Sequence, residues 1–237
     1  MCGRFVLVTP PDHLARRFGA VVAAGVDPDR ALGYNVAPTR QVYGVADRAC
    51  GGRTLDTYRW GLVPSWATDP SVGARLFNAR SETVATKPSF RSAFARRRLV
   101  VPVDGFYEWA GEEGRRTPYY FRSPDGDPLA LAGLWETWRP KEESGSATRE
   151  LRTCTIVTAP AGPDVAPVHD RMPVILDGGA VDAWLDGDGA DMLQHLLAPA
   201  GAGRLAGHPV GRAVGNVRND GPELIEPAPG GGGAEAG

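Results

Sequence analysis

Short apolar runs rich in β-branched and aromatic residues recur along the chain, separated by clusters of Gly, Pro, Asp and Asn that act as turn punctuation. The spacing predicts strands near 3–8, 42–46, 54–60, 98–103, 106–110, 118–123, 129–138, 152–158, 173–176 and 210–214. Helical periodicity is confined to 80–86, 89–96, 179–185 and 189–197, with one more helix expected to begin at Thr9. There Pro10 would take the first helical position and Asp12 would complete a capping-box-like T-x-x-D. Many strands, few helices and no regular βα alternation imply an α+β fold: one β-rich domain with a curved or barrel-like, mostly antiparallel sheet and peripheral helices.

Two stretches break the pattern. Arg139 to Glu150 (RPKEESGSATRE) is polar and breaker-rich, so it reads as a hairpin loop. Residues 227–237 (PAPGGGGAEAG) cannot bury enough surface to order, and are expected to be a disordered Gly/Pro/Ala tail. No repeat or linker divides residues 1–226, which read as one domain long enough for a full hydrophobic core.

Composition narrows the class. At 42% hydrophobic and 23% charged, the chain has the make-up of a soluble globular protein. No stretch approaches the roughly 18 apolar residues of a membrane span. The start, MCGRFVLVTPPDH, lacks the basic segment, apolar core and cleavage site of a secretory signal, so a cytoplasmic location is expected. Cys2, Cys50 and Cys154 lie far apart, and His13, His169, His195 and His208 show no ligand spacing. No disulfide framework, metal site or organic cofactor is implied. The formal net charge of −2 conceals an asymmetry: residues 1–100 carry 15 Lys/Arg against 7 Asp/Glu, and residues 101–237 carry 11 against 21. A basic half suits a nucleic-acid groove, although solvated surface accounts for it equally well.

Four segments hold residues suited to chemistry. Removal of Met1 would leave Cys2 with an α-amine and a thiol on adjacent carbons. The amine, with an ordinary pKa near 8, is partly nucleophilic at neutrality, and nearby Arg4 is expected to make the thiol more thiolate-like. Such a pair condenses with an aldehyde, first to an imine and then to a five-membered thiazolidine. A terminal residue in a fraying strand is the plainer reading. In FNARSET, Asn78 offers an amide and Arg80 a bidentate fork for phosphate, or Asn78 or Ser81 simply caps a helix with Glu82 in its first turn. In VDGFYEWA, alternation puts Phe106, Glu108 and Ala110 on one face and Tyr107 and Trp109 on the other. Glu108 is then either a desolvated acid/base or an ordinary exposed strand residue. In VHDRMP, His169 could move protons and Arg171 could bind phosphate, or the loop is merely structural. Tyr34, Pro38, Trp60 and Trp66 could stack on bases or fold onto the core, where Trp60 is assigned.

Taken together and in order, MCGRF, YNVAPT, RWGLVPSWA, NARSET, VPVDGFYEW, AGLWE, TIVTAPA, HDRMPVIL and AVGNVRNDGPELIEP resemble the SOS-response-associated peptidase (SRAP) family of abasic-site shielding proteins. The resemblance implies that Cys2 is an N-terminal nucleophile forming a thiazolidine crosslink with the aldehyde of an abasic site in single-stranded DNA. Asn78, Glu108 and His169 match the family's active-site trio. Arg4, Arg80 and Arg171 match its phosphate-binding arginines, with Pro38, Trp66 and Trp109 as further DNA contacts. Ala67 stands where some relatives carry a second tryptophan. The implied setting is the DNA damage response, with Schiff-base, lyase-like chemistry and an autopeptidase activity that would remove Met1. The expected partner is abasic single-stranded DNA, with replication-fork proteins in attendance. A monomer without membrane contact is expected. Two rivals remain: an N-terminal-nucleophile amidotransferase or peptidase, and a single-strand-binding module in which Cys2 is incidental.

Overall fold

The computed structural model describes residues 2–47, 51–112, 114–140 and 150–229. Its elements run β1 (Phe5–Leu7), α1 (Pro11–Arg17), β2 (Ala20–Val22), β3 (Gly33–Val36), β4 (Gln41–Asp47), β5 (Arg53–Trp60), β6 (Asn78–Arg80) and α2 (Arg91–Arg96). They continue with β7 (Arg98–Val103), β8 (Gly105–Ala110), β9 (Thr117–Arg122), β10 (Leu129–Trp138), β11 (Leu151–Pro160), β12 (Arg171–Pro173), α3 (Gly178–Asp186), α4 (Ala190–His195) and β13 (Ala206–Pro209).

The strands form two mostly antiparallel sheets. One has the order β13-β9-β8-β1-β3. The other runs β12-β11-β10-β7-β4-β5-β2, and β11 also pairs with β5, so β11, β10, β7, β4 and β5 close into a five-stranded barrel. The closing pair is parallel, with Thr153 opposite Arg59 and Cys154 opposite Trp60. Inward alternation fills the interior with Trp60, Leu99, Val101, Leu131, Cys154 and Ile156, all fully buried. Trp60 also donates from Nε1 to Phe77 O at 2.9 Å, so its one polar atom is satisfied. The α+β, β-rich expectation therefore holds, and its curvature takes the form of a closed barrel. Among the described residues no helix is long and apolar enough to cross a membrane.

Where local expectation failed, tertiary bonds explain it. Thr9 does not cap α1: its N–H and hydroxyl both bond the Asp104 carboxylate, and the helix begins at Pro11 without a side-chain cap. The helix expected over 80–86 is absent, because Asn78–Arg80 is a strand lying parallel to β11, followed by turns. Asn78 and Ser81 thus cap nothing; the Ser81 N–H bonds Thr158 O. The strand expected at 173–176 is displaced to Arg171–Pro173. The one expected at 210–214 is instead Ala206–Pro209 followed by a 3-10 turn at Arg212–Gly215. Strands β10 and β11 pair down to Trp138 opposite Leu151, as the hairpin reading requires, while residues 141–149 of its loop lie outside the described residues. Pro227 bridges Val210 and Ala228 bonds Pro209 O, so the first residues of the expected tail rest against β13; residues 230–237 lie outside the described residues.

Candidate active site around Cys2

The N-terminal segment enters the five-stranded sheet beside β8. Phe5 stands opposite Phe106, and the Tyr107 N–H donates to Arg4 O at 3.0 Å, which runs the preceding residues along Glu108. Gly105 lets β9 pack closely on β8: a Cβ there would lie 2.4 Å from the Tyr120 ring and 2.5 Å from Phe121 O. Cys2 is wholly buried.

Alternation along β8 sorts its side chains as expected. Phe106 joins the main core, whereas Tyr107 packs with Val6, Tyr120, Val210, Val214 and Leu224, and Trp109 lies against that cluster. Glu108 is 2% exposed. Burial raises its pKa to about 7, because the ionised carboxylate has lost most of its water. Its negative charge is felt at Cys2. Burial first, and Glu108 second, push the Cys2 thiol well above its ordinary range. This reverses the expectation that Arg4 would favour a thiolate. The Arg4 guanidinium is instead turned to Asn35 Oδ1 and Val214 O, each at 2.8 Å, and its only help to the thiol is a backbone hydrogen bond.

Asn78 arrives from the barrel, since β6 pairs with β11. Its Nδ2 donates to Cys2 O at 2.8 Å. Its Oδ1 is buried and has no hydrogen-bond partner among the described residues. His169 comes from the loop between β11 and β12, with Nε2 3.8 Å from Glu108 Oε2. Its Nδ1 accepts from the Arg171 N–H at 2.9 Å, which places the neutral ring's proton on Nε2, facing Glu108. Asp170 Oδ1 lies 2.9 Å from the same Nδ1 and favours protonation, but burial outweighs it and the His169 pKa is lowered. Four residues spread over 168 positions of sequence thus gather at one point: Cys2, Asn78, Glu108 and His169.

The other expected contacts are more dispersed. Arg80 is exposed, with no ion pair among the described residues. Trp66 is 59% exposed on the loop after β5, and Pro38 is half-buried. Ala67 is buried beneath Trp138, whose Nε1 donates to Ala67 O at 2.7 Å. Arg171 is only 8% exposed, and its fork is held by Glu82 and Thr158 O. The Arg4 guanidinium lies 5.9 Å from the Trp109 ring.

Three structural partners escaped the sequence reading. Asn35 bonds Arg4 and donates to the backbone carbonyls of Val214, Asn216 and Asn219, tying the C-terminal segment to β3. Its place inside YNVAPT was the only available signal. Nothing in the sequence brings Arg116 and Arg212 together, yet both line one cavity beside Trp109.

The SOS response associated peptidase (SRAP) family model matches residues 1–217. The chain belongs to the SRAP family. SRAP relatives include the abasic site processing protein YoqW of Bacillus subtilis, 35% identical over 95% of this chain and 99% of its own length. The abasic site processing protein YedK of Escherichia coli is 34% identical over 96% of this chain and all of its own. The fold matches a crystal structure from Bacteroides thetaiotaomicron with a TM-score of 0.83 at 21% identity, covering 96% of this chain and 100% of that one. A Bordetella bronchiseptica structure matches with a TM-score of 0.72 at 27% identity, over 89% and 100% of the two chains.

Proposed function

We propose that this SRAP protein processes abasic sites in single-stranded DNA by forming a covalent thiazolidine through Cys2 once Met1 has been removed. The observation that carries the reading is the convergence of Asn78, Glu108 and His169 on Cys2. The α-amine of Cys2 attacks the C1′ aldehyde of the ring-opened sugar. The carbinolamine takes up a proton on its hydroxyl and expels water, leaving an imine. The sulfur then adds to the imine carbon while the thiol proton ends on nitrogen, so the net change is the loss of one water. Ring closure diverts the imine from β-elimination, which would break the strand.

The protonation states support this order. A thiol whose pKa is raised by burial stays protonated and is a poor first nucleophile, which leaves initiation to the amine. Glu108, titrating near neutrality, serves as proton donor and acceptor for sugar opening and dehydration. Neutral His169, with its proton on Nε2, serves as a proton donor on the Glu108 side. Asn78 anchors the Cys2 carbonyl, and its unpaired Oδ1 can accept from the amine.

In this reading Arg4 and Arg80 hold phosphates, and Pro38, Trp66 and Trp109 pack on bases. Arg171 reaches a phosphate only by exchanging Glu82 for it. Intact mass spectrometry tests the proposal, using protein incubated with a single-stranded oligonucleotide carrying one abasic site. The expected product is Met-less protein plus the oligonucleotide minus one water, stable to heat and absent in Cys2→Ser. Met-less protein that never gains that mass overturns the covalent reading.

A further inference from the structure

A cavity of about 260 Å³ is lined by Trp109, Gly114, Arg116, Pro118, Arg212 and Gly215. One wall is the turn joining β8 to β9, and the other is the 3-10 turn Arg212–Gly215. That second wall is held in place from below. Arg4 donates to Val214 O and more weakly to Gly215 O, and Asn35 donates to Val214 O and Asn216 O. Trp109 follows Glu108 directly in β8, with its side chain on the opposite face of the strand. Arg116 is close enough for its charge to act on His169.

Arg116 and Arg212 are both exposed, and neither has an ion pair or side-chain hydrogen bond among the described residues. Glu112 shares the turn with Arg116 without pairing to it. Two uncompensated guanidinium forks beside an indole match a planar base attached to a phosphate and little else, since apolar ligands gain nothing from the forks and bare anions nothing from the ring.

We infer that this cavity is a second nucleotide subsite, in which Trp109 stacks the base adjoining the abasic position while Arg116 and Arg212 hold the neighbouring phosphates. The role rests on the covalent reading above. It adds a pair of phosphate ligands from two distant segments, and it makes a nucleotide next to the lesion part of what the protein recognises.

The test compares Arg116→Ala/Arg212→Ala with Arg17→Ala/Arg204→Ala, which removes the same charge from another face. For the first variant, the half-saturating concentration of abasic oligonucleotide in crosslinking should rise roughly tenfold. The slope of log affinity against log salt should fall by about 0.7 for each phosphate that is no longer held. Equal half-saturation and equal slope in the two variants overturn the subsite. Anisotropy with an undamaged oligothymidine judges the subsite separately: if wild type forms no adduct yet the Arg116/Arg212 variant binds this strand more weakly than the control, the covalent reading fails and the subsite stands. Thymidine monophosphate is the remaining arm. Should it compete at the subsite as well as the strand does, the occupant is a free nucleotide and the strand assignment falls.

Discussion

The chain has a second, larger cleft of about 800 Å³, and it shares no lining residue with the cavity beside Trp109. Both clefts contain arginines over an apolar wall. In the larger one every arginine already meets a carboxylate: Arg17 with Asp127 at 2.8 Å, Arg53 with Asp182 at 2.8 Å and Asp186 at 3.1 Å, and Arg204 with Asp177. Acid is in excess there, and burial together with Asp186 raises the pKa of neighbouring Asp47. A phosphate entering that cleft would face fixed negative charge at a cost of about 1–4 kcal/mol per close pair, which offsets what the arginines offer. The smaller cavity has less room and uncompensated cations. For an anionic polymer, unpaired cationic charge favours a site more than volume does.

The largest effect that would break this contrast lies at Glu108. Glu108→Gln should slow crosslinking by about 100-fold or more, the usual scale for losing an acid/base group, as read by single-turnover adduct formation. It should also change stability with a defined sign. With the folded pKa raised from 4.5 to about 7, the native state keeps its proton longer than the unfolded chain. The contribution of Glu108 to stability is therefore complete below about pH 4.5 and is lost as pH rises through 7. At pH 8 the Gln variant should be more stable by about 2–4 kcal/mol, and at pH 4 the two should melt alike. Thermal melts at both pH values check it, and equal stability at pH 8 would place Glu108 in a far wetter setting.

The barrel was legible because its strands are long and rich in Val, Leu, Ile and Thr; β7 and β10 each begin and end within one residue of the expected bounds. Most of the short strands were not. β2, β3 and β6 have three or four residues and exist only through pairing with β5, β1 and β11, partners that local pattern cannot name. Cys2 and the three residues around it were readable as a set only through a resemblance spanning many motifs, since each alone fits a cap, a loop or an exposed strand position. Arg116 and Arg212 left no trace, because 96 positions separate them and arginine is common in this sequence. The charge sum was equally blind: the first hundred residues are basic, yet Arg17 and Arg53 there are spent on carboxylates while Arg212 lies in the acidic part.

A carboxylate added to the smaller cavity should make it behave like the larger one. Ala213 is exposed and adjacent to Arg212, so Ala213→Glu supplies an internal partner for that fork without touching the core. Half-saturating DNA in crosslinking should rise roughly threefold at low salt. The effect should shrink above about 0.3 M salt, where exposed charges are screened. Ala213→Gln separates charge from bulk, and a Gln variant as impaired as Glu would mean that the side chain merely obstructs the cavity.

The converse change is the smallest and the most discriminating. Asp127→Asn with Asp177→Asn leaves Arg17 and Arg204 unpaired in the larger cleft while changing little in shape. If uncompensated charge is what recruits the strand, undamaged single-stranded DNA should bind about twofold more tightly by anisotropy, with a salt slope steeper by up to about 0.7. Crosslinking at saturating abasic DNA should be unaltered, because the new binding face does not lead to Cys2. A gain in crosslinking rate as well would mean that the two clefts lie on one DNA path, and the larger one would then be an extension of the active-site groove held shut by its own aspartates.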